Sequence, residues 1–174
     1  ETPFKKATDA NNSGADYFIS IHRNSSEKKN QYSGIESLVY KDSGIRHTLA
    51  KNINKELADA GFEDLGITER PNLVVLKRTQ MPAVLVEVGF SNSDTDNKIF
   101  DENFNEIARA IADGILETVY SQTTKTDAPG TGSSPDIPAN YSMPASPGIS
   151  ENPGMSACRC DEEGTKLSRI QTGA

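Results

Sequence analysis

Two polar residues stand where apolar ones would be expected. His22 ends the apolar stretch Tyr17 to Ile21, and Glu87 interrupts the apolar run from Ala83 to Phe90 near its C-terminal end. A carboxylate in such a run is expensive to bury unless it is paired, protonated, or turned toward a cleft or a metal. Together the two groups suit a metal centre, with the imidazole as ligand and the carboxylate as a second ligand or as the base that deprotonates an activated water. A plainer reading has His22 donating to a backbone carbonyl and Glu87 paired with Lys77 or Arg78. Spacing alone leaves both open.

Other chemistry-bearing residues make weaker cases. Ser20 and His22 point to the same side of a strand, yet no glycine-flanked elbow surrounds the serine. His47 falls opposite the apolar stripe of its own helix and is expected to face solvent. Cys158 and Cys160 sit too close together for a disulfide framework and, lacking a partner pair, fall short of a tetrahedral zinc set.

The elements that must position His22 and Glu87 follow from periodicity. Asp16 to His22 reads as a strand, Arg23 to Gly34 as a loop, and Ile35 to Lys41 as a second strand. Ser43 caps a helix whose stripe is Ile45, Leu49, Ile53 and Leu57, and Gly61 ends it. Asn72 to Arg78 and Ala83 to Phe90 read as two further strands, the second apolar enough to be covered on both faces. Asn103 and Glu106 have the offset of a capping-box pair, opening a final helix with Phe104, Ile107, Ala108, Ile111, Ile115 and Val119 on one stripe. Gly114 weakens that helix by about 1 kcal/mol relative to alanine. Strands interleaved with amphipathic helices predict an α/β domain, a largely parallel sheet flanked by helices. In such a sheet, ligands collect beyond the C-terminal strand edges, where His22 and Glu87 both fall.

Composition bounds the rest. The 174 residues suffice for one ordinary domain with an appendage. After Ser121 the chain turns rich in Pro, Gly, Ser and Thr, so residues 1–121 are the expected folded unit and residues 122–165 a disordered linker. Lys and Arg number 18 against 25 Asp and Glu, a net charge of -7 with no basic block, which argues against nucleic acid as a partner. No apolar run approaches the roughly 20 residues that span a bilayer.

Ala10-Asn11, the segment from Gly14 through Ser20, His22 and Asn24, Ser33 to Glu36, and Met81 to Asn92 follow the order and spacing of a known family. From about Ala10 to Tyr120 the chain resembles the zinc-dependent N-acetylmuramoyl-L-alanine amidases of bacterial cell walls, the amidase-3 type. The resemblance implies a three-layer domain, Zn²⁺ as cofactor with His22 as a ligand, and Glu87 as catalytic base. It implies cleavage of the amide between N-acetylmuramic acid and the L-alanine of the stem peptide. Peptidoglycan is then the partner, and an extracellular or wall-associated location follows from that substrate. Arg23 and Asn24 would lie beside the metal and contact substrate, or else structure the loop.

Departures from the family pattern carry expectations too. Its first zinc histidine and its glutamate ligand belong to segments upstream of the aligned region. Lys6 and Leu65 stand where arginines are usual. On this reading the chain is the C-terminal two-thirds of a catalytic domain without its first strands. Weak zinc binding, inactivity in isolation and an exposed, poorly soluble sheet edge would follow. The alternative is a non-catalytic wall-binding or regulatory module of the same fold. Residues 166–174 resemble the opening strand of a sporulation-related (SPOR) repeat, a wall-binding module that the linker would tether to the enzyme.

Overall fold

The computed structural model describes residues 2–126 and, beyond them, two short paired strands at 159–160 and 166–167. Apart from these, the expected linker and the SPOR-like segment lie outside the described residues. Residues 122–126 continue the last helix.

Four strands form the sheet: β1 (Phe18–Asn24), β2 (Ile35–Val39), β3 (Asp64–Glu69) and β4 (Ala83–Phe90), in the order β1-β4-β2-β3. β1 runs parallel to β4, and β2 parallel to β3; β2 and β4 are antiparallel. Two of the three pairings are therefore parallel, and the α/β expectation holds. β4 is central, and all of its residues but Glu87 are buried, which is why it reads as a continuous apolar run.

Helices cover both faces. Val84, Val86 and Val88 of β4 join Ile35 and Val39 of β2 against α2 (Gly44–Asp59) and α5 (Phe104–Thr126), whose Leu49, Ile53, Leu57, Ile107 and Ile111 complete the larger core. The opposite face carries Leu38, Ala83 and Leu85, packed against Val75 and Leu76 of α3 (Val74–Arg78). α1 (Pro3–Asn12) lies beside α3: Asn11 Nδ2 donates to Arg78 O at 2.9 Å, and Gln80 N–H donates to Asn11 Oδ1 at 2.8 Å. Thr2 caps α1 by accepting from Lys5 N–H at 3.2 Å, with Pro3 pre-set in its first turn. Buried Asn54 ties α2 to the sheet. It accepts from Ser37 Oγ at 2.6 Å and donates to Asp64 Oδ1 at 2.8 Å and to Gly66 O at 2.9 Å.

The segment Asn72 to Arg78 is a correction. The sequence predicts a strand there, yet Val74–Arg78 is a helical turn entered through Leu73, whose carbonyl accepts from Leu76 N–H at 3.1 Å and Lys77 N–H at 2.9 Å. Only one side of it meets the sheet, through Val75 and Leu76, and that tertiary demand overrides the β preference of Val74-Val75. The fourth strand is instead β3, a polar, half-exposed edge whose alternation is too weak to read. α4 (Asp94–Glu102), with Ser93 Oγ accepting from Asp96 N–H at 3.2 Å, has no apolar periodicity to announce it either.

Gly114 gains a role that helix propensity does not reveal. A Cβ there would lie 2.6 Å from Ile53 Cα and 2.7 Å from Ile53 N, so α5 and α2 touch backbone to backbone at this point. Gly114→Ala is therefore expected to destabilise the domain by about 1–3 kcal/mol, the usual cost of overpacking, despite alanine's better helix propensity. A lowered urea midpoint with unchanged slope checks this; a raised midpoint would show that the helices separate freely.

Candidate active site

β1 and β4 carry His22 and Glu87 as direct register partners, and Glu87 is in turn the partner of Glu36 on β2. Residues aligned across neighbouring strands share a face. His22, Glu87 and Glu36 therefore form one row across three strands, on the face that α1 and α3 cover. Thr68 of β3 extends it by donating its hydroxyl to Glu36 Oε1. Strand alternation makes the row: Ser20 and His22 on β1, Leu85 and Glu87 on β4, and Glu36 and Leu38 on β2 each sit two apart.

Burial sets the protonation states. Half-buried His22 has its pKa lowered, first by desolvation and then by the nearby Lys6 ammonium, so the ring is neutral at neutral pH. Its Nε2 is hydrogen-bonded to Ser20 Oγ at 2.8 Å. That bond fixes the ring orientation, as the orienting partner of a ligand imidazole does. Glu87 is pushed up to about 7, mainly by burial and secondarily by the Glu36 carboxylate. Its Oε2 is buried and has no hydrogen-bond partner among the described residues. Pairing with Lys77 or Arg78 does not explain it: both lie on α3, and Arg78 stacks on the Phe4 ring at 5.3 Å instead.

The other expected residues divide. Arg23, one step along β1 from His22, points to the opposite face. Its Nε donates to Val88 O at 3.2 Å and its Nη2 to Phe90 O at 3.1 Å, while the guanidinium lies 4.4 Å over the Phe100 ring. The structure thus does not bring Arg23 to the row; it fastens α4 to the end of β4. Asn24 lies on the row's side of the register, paired with Phe90 beyond a bulge. Its Oδ1 accepts from Ser25 N–H at 2.8 Å, and the side chain lines an open cleft past the strand ends. His47 faces solvent as expected, with Nδ1 2.7 Å from Asp42 Oδ1.

For a metal, the row offers one neutral imidazole and a carboxylate oxygen left without a partner. The described residues hold no group of three His, Cys, Asp or Glu able to grip an ion on their own. The donors present fit part of a zinc coordination set.

A family model described as N-acetylmuramoyl-L-alanine amidase (Amidase_3) matches residues 2–117. The chain belongs to this family. The sporulation-specific N-acetylmuramoyl-L-alanine amidase of Bacillus subtilis is 39% identical over 119 residues, which are 66% of this chain and 45% of that protein. The N-acetylmuramoyl-L-alanine amidase CwlM of Bacillus licheniformis is 37% identical over 110 residues, 61% of this chain and 42% of that protein. The chain thus spans less than half the length of these curated relatives. Among solved structures, the catalytic domain of CwlV, an N-acetylmuramoyl-L-alanine amidase from Bacillus (Paenibacillus) polymyxa var. colistinus, superposes with a TM-score of 0.61 at 35% identity. That match covers 69% of this chain and 66% of the other. An N-acetylmuramoyl-L-alanine amidase from Clostridium difficile 630 gives 0.59 at 30% identity, covering 71% and 66%.

Within this amidase-family fold, a residue that pattern reading missed holds the strand ends in place. Asp96, buried in the first turn of α4, accepts from Gly34 N–H at 3.0 Å and from Phe90 N–H at 2.7 Å. It thereby ties the entry of β2 to the exit of β4, the ends of those two strands that lie nearest Glu36 and Glu87. Gly89 makes room for it. Its φ is +71°, and a Cβ there would come within 2.9 Å of Asp96 Cβ. The one sequence signal was Ser93 three residues before Asp96, a cap offset hidden in a polar run.

The displaced pKa of Glu87 has a signed consequence. Between about 4.5, its ordinary value, and about 7, the folded protein keeps a proton that the unfolded chain has lost, so stability falls as pH rises through this window. The span corresponds to a penalty on the order of 3 kcal/mol above pH 7. In metal-free protein Glu87→Gln is expected to raise the melting temperature above pH 7 and to change it little below pH 4.5. Parallel melting curves for both proteins across that range would instead mean that Glu87 ionises normally.

Proposed function

We propose that this chain supplies the general base and one metal-binding imidazole of a peptidoglycan hydrolase that cleaves the amide between N-acetylmuramic acid and L-alanine. The observation that carries the reading is the partnerless, buried Glu87 Oε2 beside a neutral His22 in register, within a chain of the amidase family. His22 holds the ion in this reading, and Ser20 holds His22. Bound zinc would supply Lewis-acid polarisation of the scissile carbonyl and acidify a water.

The rest is the work of the chain's own residues. Glu87 Oε2 takes the proton of the attacking water and delivers it to the leaving nitrogen of L-alanine. A carboxylate poised near pH 7 suits both steps, because it is ionised often enough to accept a proton and acidic enough to return it. Burial and Glu36 provide that poise. Asn24, at the strand end beside the row, is the substrate contact; Arg23 supports the site from behind. Peptidoglycan as substrate places the protein at the cell wall or outside the cell, and the linker and the SPOR-like segment at 166–174 would hold it to that substrate.

The donor set, short of three among the described residues, favours a second reading: a wall-binding module of amidase fold without catalysis. One experiment separates the two. The natural protein containing these residues, supplied with zinc and purified cell walls, is expected to release stem peptides bearing new L-alanine amino termini. Glu87→Gln should reduce that release about 100-fold or more with zinc content unchanged, and His22→Ala should lose zinc. Wall binding without any cleavage selects the second reading, and full activity in Glu87→Gln removes the carboxylate from its role.

A further inference from the structure

Beyond the C-terminal ends of β1 and β4 lies an open cleft of about 570 Å³. Its apolar wall is Tyr32, Phe90 and Leu65, with the two aromatic rings 5.9 Å apart and tilted by 40°. Its polar rim is Asn24, Glu27 and Gln31. Asn24 stands two residues past His22 and Phe90 three past Glu87, so the cleft begins roughly 7–10 Å along the strands from the row. A substrate held there would reach the row.

The loop that forms the cleft is pinned. Asn92 accepts from Ser26 N–H at 3.0 Å and donates to Ser26 O at 2.7 Å, and Asn30 donates to Asp94 Oδ2 at 2.9 Å. Tyr32 is nonetheless 56% exposed, an aromatic face held out toward solvent on a fastened loop. The side-chain carbonyls of Asn24 and Gln31 are engaged inside the loop, by Ser25 N–H and Lys28 N–H, which leaves their NH₂ groups as the rim's donors. Glu27 adds an acceptor, and no cationic side chain lines the cleft among the described residues.

We propose that this cleft is a glycan subsite, in which an N-acetylhexosamine ring stacks its C–H face on Tyr32 while its hydroxyl and acetamido groups bond to Asn24, Glu27 and Gln31. The proposal rests on the amidase reading and names the part of the substrate that this end of the sheet receives. A neutral sugar fits an aromatic platform ringed by amides and one carboxylate. Stem peptides are rich in carboxylates, which a cleft holding Glu27 and no cation disfavours. The pinned loop lowers the ordering cost of binding, so a modest contact area suffices.

The test uses the whole chain, a soluble N-acetylglucosamine tetramer and, separately, a free stem peptide, with amide chemical shifts as the readout. The tetramer is expected to shift the side-chain amide signals of Asn24 and Gln31. Tyr32→Ala should weaken it about tenfold while Tyr32→Phe, which keeps the platform, binds as before. Glu27→Gln, an exposed change, should weaken it without altering the melting temperature. Should Tyr32→Ala fail to fold, the shift map of the unaltered chain and Glu27→Gln decide. Tetramer binding that ignores these variants, shifts caused by the stem peptide alone, or no shift with either probe each overturns the subsite. Wall cleavage with no tetramer binding would sink this inference and spare the amidase reading; tetramer binding without wall cleavage would do the reverse.

Discussion

Glu87 is a carboxylate on the central strand of a sheet covered on both faces, and much of the domain can be read as the means of keeping it there. Its neighbours in β4 are all buried, so the strand cannot shift by one residue without sending Val86 or Val88 to the wrong face. The same register sets His22 on one side of it and Glu36 on the other. Desolvation and a like charge then act on a group that cannot move away, and a carboxylate that holds its proton far more tightly than usual is the result. Stability is given up at this point to bury an unpartnered carboxylate.

The compensation lies on the opposite face and at the strand ends. Arg23 caps the carbonyls of Val88 and Phe90, and Asp96 satisfies the N–H groups of Gly34 and Phe90. Each is a charged group bonded to backbone partners, and such bonds are stronger than those between neutral groups. The two charges also sense each other, since Asp96 counteracts the desolvation that lowers Arg23. Phe90 is held through both its N–H and its carbonyl, so the turn that follows β4 starts from a fixed position.

What the sequence revealed follows from how strongly burial marks each element. β4 and α2 were legible because both-face or one-stripe burial leaves long apolar signatures, and the row was legible because a histidine and a glutamate broke two of them. α3 was not: Val74, Val75 and Leu76 look the same whether they form a strand or one helical turn laid on a sheet. β3 and α4 were lost because their residues are polar, and Asp96 with them, since its partners are backbone groups distant in space from any local pattern. Arg23 is a different case. Alternation along β1 puts residue 23 on the face opposite residue 22, and its bonds to Val88 O and Phe90 O agree with the structural of its two expected roles.

This alternation also explains how one strand serves two purposes. Ser20, His22 and Asn24 lie along one side of β1 and lead from the orienting hydroxyl, through the imidazole, to the cleft. Ile19 packs into the larger core and Arg23 grips β4 from that other side. Ile19 and Arg23 thus serve packing while His22 and Asn24 face the row and the cleft, even though the residues are sequence neighbours; Ile21, on the packing side, is 58% exposed. The bulge puts one extra residue on β4 opposite the step from His22 to Asn24: it realigns Asn24 with Phe90, past Gly89, so that the polar line on β1 meets the aromatic wall of the cleft where β4 ends.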